Sequence, residues 1–257
     1  MTYFDSILLS ILQGLTEFLP VSSSGHLVLV QAILGVKQSG VSFEVLVHFG
    51  TLLAVLVYFR SQIGGLIRSV FDSSRKDDRA LIGYLLLGTV PAAVVGLLFK
   101  DEIEAAFSRP LITSVMLALT GLILLATRFF KRGDGTVGVV TAVVIGVAQS
   151  LALLPGISRS GITIAAGMAA GVRPSRAAEF SFLLAIPAIG GAMVLNFGEL
   201  LTIDTSLAGP YLVGTLLSFL LGLVAVHLLM AIVRRGRLDF FAYYCFAAAA
   251  VGLYLFL

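Results

Sequence analysis

The chain has 257 residues, 58% of them hydrophobic and only 12% charged, with a mean hydropathy of +1.05 and a formal net charge of +3. Soluble domains carry roughly one charged residue in four, so this composition excludes a soluble globular domain and describes an integral membrane protein. The basic balance fits cytoplasmic loops of a membrane protein rather than nucleic-acid binding, and the single cysteine, Cys245, excludes an intramolecular disulfide and any cysteine-built metal site.

No cluster of positive charge precedes the first apolar run and no small-residue cleavage site follows it, so no removable signal peptide is expected. Residues 6–19 are apolar but end at Pro20 and a serine run; at 1.5 Å per residue such a helix reaches about 21 Å, short of the ~30 Å hydrocarbon core. A second short apolar run, Leu27 to Val36, follows. Apolar stretches near span length then come at about 41–59, 80–99 and 111–130. Val137 to Ala148 is again a short run, interrupted from Gln149 through "LPGISRSG" and resumed as small residues to Gly171. Spans at about 177–195, 209–233 and 239–257 complete the chain, too long and too uniformly apolar for the alternation of an outer-membrane barrel. Regions 6–36 and 137–171 therefore read as re-entrant helical hairpins with polar tips, since irregular backbone at membrane depth survives only where protein or a wet cavity satisfies its amides. One long kinked span over 6–36 is the alternative.

The two tips resemble each other. "QGLTEFLPVSSSGH" starts at Gln13 and "QSLALLPGISRSGI" at Gln149, and Gln13/Gln149, Ser22/Ser158, Ser24/Ser160 and Gly25/Gly161 match at a constant spacing of 136. The expected fold is an all-α membrane protein of six transmembrane helices plus two re-entrant hairpins, one membrane domain over 1–257 made of halves at about 1–136 and 137–257. Three spans per half invert the second half, giving an inverted-topology repeat. On that topology, of the 17 basic residues Lys37, Lys100 and Arg109 share the side of the N-terminus, Arg159 sits in the second tip, and the remaining thirteen fall on the opposite side. The positive-inside rule makes that opposite side cytoplasmic and puts both termini outside. Treating 137–171 as a full span instead leaves eight against eight.

A charged side chain at mid-membrane costs about 2.5–3.5 kcal/mol even on lenient insertion scales, so Glu17, His26, Glu44, His48, Arg159, Glu179 and His227 are candidates by default. Arg159 lies among hydroxyls and glycines, and a guanidinium with neighbouring hydroxyl and amide donors is a phosphate-binding set. Helix N-termini after each serine-glycine tip add free N–H groups. A strut between Arg159 and Glu17 is the plainer reading, but it needs no serines. His26 is a candidate general acid, base or nucleophile, Ser23 an alternative nucleophile, and Glu17 a carboxylate for Mg²⁺ or Ca²⁺ or for orienting the histidine. Gln13, one turn before Glu17 on the same face, is placed either to coordinate the metal weakly or to position water. Glu44 and His48 share a helix face and either line the same cavity or form a structural pair. Glu179 reads as an interfacial partner of Arg176, and His227 as packing.

"QGLTEFLPVSSSGH" with "LPGISRSGITIAAG" about 130 residues on, together with "FEVLVHFGTLLAV" and "EFSFLLAIP", closely resembles the undecaprenyl-diphosphate phosphatase family of bacitracin-resistance membrane phosphatases, over the full chain. The resemblance implies a bacterial inner-membrane enzyme, dependent on a divalent cation (Mg²⁺ or Ca²⁺), that hydrolyses undecaprenyl diphosphate to undecaprenyl phosphate and phosphate from the periplasmic side and so recycles the carrier for cell-wall synthesis. It places the glutamate-rich motif on Gln13 and Glu17, and the proline-serine-histidine motif on Pro20, Ser22, Ser23, Gly25 and His26. The arginine motif falls on Pro155, Gly156, Ser158, Arg159, Ser160 and Gly161, with Thr163 beyond. Many members have glutamate where this chain has Gln13, and Ser24 stands where some have threonine. The expectation is one diphosphate site: Arg159 with Ser158, Ser160, Gly161 and Thr163 on one tip, Ser22, Ser24 and Gly25 on the other, Glu17 and Gln13 for the metal, and Ser23, His26 or water attacking phosphorus. The substrate partner is a polyprenyl diphosphate lipid, and a homodimer is compatible with it. The rival from another class is a carrier that moves polyprenyl phosphate or another anion without hydrolysis, since inverted repeats with broken helices also build transporters.

Overall fold

The computed structural model describes residues 1–35, 40–131, 133–200 and 204–257; Lys37 and Arg132, both used in the charge count, lie outside the described residues. These residues form helices and short connections, with one isolated parallel bridge, Gly135 to Val172, and no strand among them. Helices are the expected solution in hydrocarbon, because each satisfies its own backbone N–H and C=O groups.

In chain order the helices are α1 (Tyr3–Thr16), α2 (Ser23–Leu34), α3 (Gly40–Tyr58), α4 (Arg60–Phe71), α5 (Lys76–Leu98), α6 (Lys100–Phe107) and α7 (Pro110–Ala126). They continue with α8 (Val139–Leu151), α9 (Arg159–Ala169), α10 (Pro174–Leu195), α11 (Phe197–Leu200), α12 (Ala208–Arg234) and α13 (Phe240–Phe256). α5, α7 with its 3₁₀ extension to Phe129, α10 and α12 are long and apolar enough to cross a membrane. α3 and α4 qualify only as a pair bent by 78° at Phe59, and α13 is a shorter apolar helix of 17 residues. The protein is thus a multi-pass membrane protein, with its expected apolar segments falling on α3, α5, α7, α10, α12 and α13.

Local chemistry sets the ends. α1 starts at a capping box in which Asp5 N–H donates to Thr2 Oγ1 at 3.2 Å and Thr2 N–H donates to Asp5 Oδ2 at 2.9 Å. α2 ends at Gly35, whose φ of +61° suits a residue without Cβ. The regions expected to be hairpins are helix–turn–helix units: α1 packs on α2 and α8 on α9, each pair joined by an irregular turn.

Close helix packing draws both units inward. α12 lies against α1 and α3, and a Cβ on Gly50 of α3 would stand 2.3 Å from the Thr215 carbonyl oxygen of α12. α8 packs equally tightly on α5, where a Cβ on Gly146 would meet the Gly88 carbonyl oxygen at 2.5 Å. Small residues at such crossings let backbones approach where hydrocarbon gives no hydrophobic drive between helices. The largest core cluster joins the halves: Phe18, next to Glu17, meets Phe182 of α10 edge to face with centroids 5.5 Å apart.

Candidate active site

The first tip, residues 17–22, turns sharply into α2. Ser22 caps α2, its Oγ accepting the Gly25 N–H at 3.2 Å, and it is the one non-glycine residue with positive φ (+67°) among those described. Such a conformation costs on the order of 1–3 kcal/mol and persists only where its surroundings over-determine it. The second tip repeats the device without the strain: Ser158 caps α9 with φ −73°, and its Oγ accepts the Gly161 N–H at 3.1 Å. The next-but-one serines repeat as well, with Ser22 Oγ to Ser24 Oγ and Ser158 Oγ to Ser160 Oγ both 3.3 Å.

The second tip is clamped to α7. Thr120 Oγ1 donates to the Gly156 carbonyl at 2.8 Å and accepts the Ser158 N–H at 3.1 Å. Gly156 has φ +98°, and a Cβ there would stand 2.3 Å from the Thr113 carbonyl oxygen, so this turn requires glycine twice over. The clamp delivers Arg159, the first residue of α9, to the first tip.

The two tips meet at Glu17. Arg159 Nη2 donates to Glu17 Oε1 at 2.5 Å, while Ser23 Oγ donates to Oε2 at 2.6 Å and Gln13 Nε2 donates to the same oxygen at 3.0 Å. His48 of α3 brings Nε2 to 3.6 Å from Oε2, its Nδ1–H held by the Glu44 carbonyl at 2.7 Å. Glu17 is buried, and a buried carboxylate persists only with partners of this kind. The plain strut between Arg159 and Glu17 thus exists, but it is incomplete as a strut. Arg159 Nη1 is buried with no partner, although a guanidinium carries five donors.

This cluster forms one wall of a cavity of about 580 Å³ lined by Glu17, Ser22, Ser23, Ser24, Ser158 and Arg159. Glu44 and His48 line it too, with Lys100 and Glu104 of α6 and an apolar remainder that includes Leu27, Leu97, Ile103, Phe107, Ile189 and Met193. Other expected residues lie behind the wall. His26 turns away from Glu17: its Nδ1–H donates to the Ser22 carbonyl at 2.7 Å and its Nε2 lies 2.8 Å from the Tyr244 hydroxyl, with the rings stacked 5.5 Å apart. Thr163 donates to the Arg159 carbonyl at 2.7 Å and lies 2.7 Å from Ser181 Oγ, Ser160 donates to the Leu19 carbonyl at 3.3 Å, and Gly25 and Gly161 supply the capped amides. Away from the cavity, Glu179 pairs with Arg176 at 3.1 Å, and the His227 ring lies 6.3 Å from that of Tyr58.

Thr120, Ser181, Tyr244, Lys100 and Glu104 were not singled out from sequence as part of the site. Tyr244, 218 residues from His26, sits in an apolar helix with no flanking motif. Lys100 and Glu104 belong to "KDEIEAAF", a charged run in an apolar chain, which was signal enough to flag a segment at the membrane surface.

Among the described residues no group of three or more His, Cys, Asp or Glu is placed to hold a metal ion. A smaller oxygen set, Glu17 and Gln13, lies nearby, although Gln13 faces Glu17 with its Nε2 and would present its carbonyl only with the amide turned over. Glu17 is a carboxylate, and Gln13, one turn before it, has a buried carbonyl Oε1 without a partner. Hard divalent cations bound through one or two protein oxygens take their other ligands from water and substrate phosphate.

Comparison with known proteins was consistent over the whole chain. A profile of the family described as "Bacitracin resistance protein BacA" matches residues 6–251. A protein named undecaprenyl-diphosphatase from Salinibacter ruber is 44% identical, covering 99% of this chain and 100% of its own length. Proteins of the same name from Syntrophotalea carbinolica (45%, 95% of each chain) and Carboxydothermus hydrogenoformans (42%, 95% of this chain and 94% of its own) are similar to the same extent.

Proposed function

The chain belongs to the BacA bacitracin-resistance family, and from that premise we propose that it hydrolyses undecaprenyl diphosphate to undecaprenyl phosphate and phosphate at the cavity between its two tips, recycling the lipid carrier of cell-wall synthesis and thereby giving bacitracin resistance. The observation that carries the reading is the buried, unpartnered Nη1 of Arg159, whose side chain lines a cavity with four serines, Ser22, Ser23, Ser24 and Ser158. A buried cationic donor without an acceptor is costly, and a phosphate oxygen supplies the missing acceptor.

The terminal phosphoryl group sits against Arg159 with the serines and the amides of the α2 and α9 N-termini around it. Ser23 Oγ, already donating to Glu17, is the nucleophile: it attacks the terminal phosphorus while Glu17 takes its proton. The bond from that phosphorus to the bridging oxygen breaks, and undecaprenyl phosphate leaves with the electron pair. Water then attacks the phosphoserine, releasing phosphate and returning the proton to Ser23. His26, bound to Ser22 and Tyr244, holds the start of α2 in place. Glu17 and the Gln13 carbonyl, with that amide turned over, would hold the divalent cation, which when bound neutralises diphosphate charge.

The rest of the proposal is topological. Six spans and two re-entrant units in an inverted repeat account for the duplicated capping at the two tips. The protein would reside in the bacterial inner membrane with both termini periplasmic. The cavity would be reached from the same side, because α6, which lines it through Lys100 and Glu104, joins two spans on the side of the N-terminus. The apolar walls of α3, α5 and α10 receive the start of the prenyl chain.

The test is phosphate release from undecaprenyl diphosphate by purified protein reconstituted in liposomes, with lipid movement followed in parallel. Release without net movement, lost in Arg159→Ala, is expected. Movement without release would establish the carrier instead.

A further inference from the structure

At the opposite end of the molecule a second cavity, of about 440 Å³, is built where three connections converge: the end of α7, the turn between α9 and α10, and the turn between α12 and α13. Arg128, Lys131 and Arg237 line it. Among the described residues that line it, the one acid, Asp239, is already engaged by Arg237 Nε at 3.3 Å, and the Arg237 guanidinium lies 4.1 Å over the Phe240 ring. Arg128 and Lys131 are exposed and have no ion pair among the described residues. Phe130, Met168 and Val172 also line the cavity, Met168 and Val172 being nearly buried, so its accessible surface is mostly polar.

The frame of this cavity is fixed by backbone. Gly135 N–H donates to the Gly171 carbonyl at 3.2 Å and Arg173 N–H to the Gly135 carbonyl at 3.0 Å, tying the α7–α8 connection to the α9–α10 turn. Phe129, Phe240 and Tyr243 are exposed around it, as aromatic side chains are at a membrane–water interface. The positive-inside bias accounts for the sign of the charge but not for a concave arrangement with an aromatic rim.

We propose that this cavity binds the phosphate-bearing headgroup of a lipid in the cytoplasmic leaflet. Arg128 and Lys131 hold the phosphate, Arg237 is kept in place by Asp239 and Phe240, and the exposed aromatic rim of Phe129, Phe240 and Tyr243 meets the start of the lipid's chains. Basic pockets between transmembrane helices on the cytoplasmic side are suited to such headgroups. α9 links the two ends of the molecule: Arg159 is its first residue and Met168 its tenth, about 14 Å further along the axis. The inference rests on the proposed topology and is independent of the proposed catalysis.

The experiment uses the full chain in phosphatidylcholine nanodiscs with and without phosphatidylglycerol, with lipid retention read by native mass spectrometry after release, and inorganic phosphate as a competitor. The parent protein is expected to retain phosphatidylglycerol over phosphatidylcholine. R128Q/K131Q should retain it at least about 10-fold less, since each basic residue near an anionic leaflet contributes on the order of a fivefold gain, while phosphate release from undecaprenyl diphosphate stays unchanged. R128K/K131R keeps both charges and should keep the lipid. Equal retention by parent and R128Q/K131Q overturns the proposal, as does loss of retention in R128K/K131R. Displacement of the lipid by inorganic phosphate at equal concentration also overturns it, by making the ligand a free anion.

Discussion

At the first tip a capping serine, a glycine amide and a second serine are joined by contacts of 3.2 and 3.3 Å, and at the second tip the equivalent contacts are 3.1 and 3.3 Å. On this common frame the chemistry is divided. The first tip carries Glu17, Ser23 and His26; at the matching positions, 136 residues on, the second carries Leu153, Arg159 and Ile162. The supports differ as well. The first tip holds Ser22 at φ +67° and rests on α13 through His26 and Tyr244, whereas the second gives the strained position, φ +98°, to Gly156 and is clamped by Thr120 of α7. The difference teaches that the repeat conserves the capping of each tip while placing unlike residues at matching positions, so that Glu17 of one tip meets Arg159 of the other; in the proposed mechanism the shared caps would cradle phosphate and the unlike residues would carry the chemistry.

Four substitutions break or sharpen that contrast. Ser23→Ala removes the proposed nucleophile from the chemical tip and should lower kcat by on the order of 10⁴-fold or more in phosphate release, with protein yield and Tm near the parent's. Arg159→Ala should cost roughly 10²–10³-fold in kcat/KM, with Arg159→Lys restoring only part, because an ammonium replaces the charge but not the planar fork. Thr120→Val leaves the first tip untouched but strips a partner from the buried Gly156 carbonyl and the Ser158 amide. It should cost about 1–3 kcal/mol of stability in a thermal or denaturant melt and raise KM as Arg159 loses its fixed position. Tyr244→Phe removes the hydroxyl with which a half-exposed tyrosine supports buried His26 and should cost about 1 kcal/mol or less, seen as a loss of a few-fold in activity.

The apolar runs that became α3, α5, α7, α10, α12 and α13 were legible because long uninterrupted hydropathy has one structural solution in a bilayer. α4 and α6 were not. Each is short and interrupted by charge, and nothing local to Phe59 announces a bend of 78°. The meeting of Glu17 with Arg159 was legible from the matched tips. The orientation of the imidazoles was not, because spacing does not reveal which face of α2 looks into the cavity. The structure turns His26 toward Tyr244 and puts His48, whose helix position left a cavity role and a structural pair equally open, beside Glu17.

That the two tips form one catalytic unit is tested most directly by a double-mutant cycle on phosphate release from undecaprenyl diphosphate with Glu17→Gln and Arg159→Gln. Groups that act as a unit are non-additive, so the double variant should be no more than a few-fold worse than the worse single variant. Losses that multiply across the pair would show that the two tips act independently and would contradict a shared site.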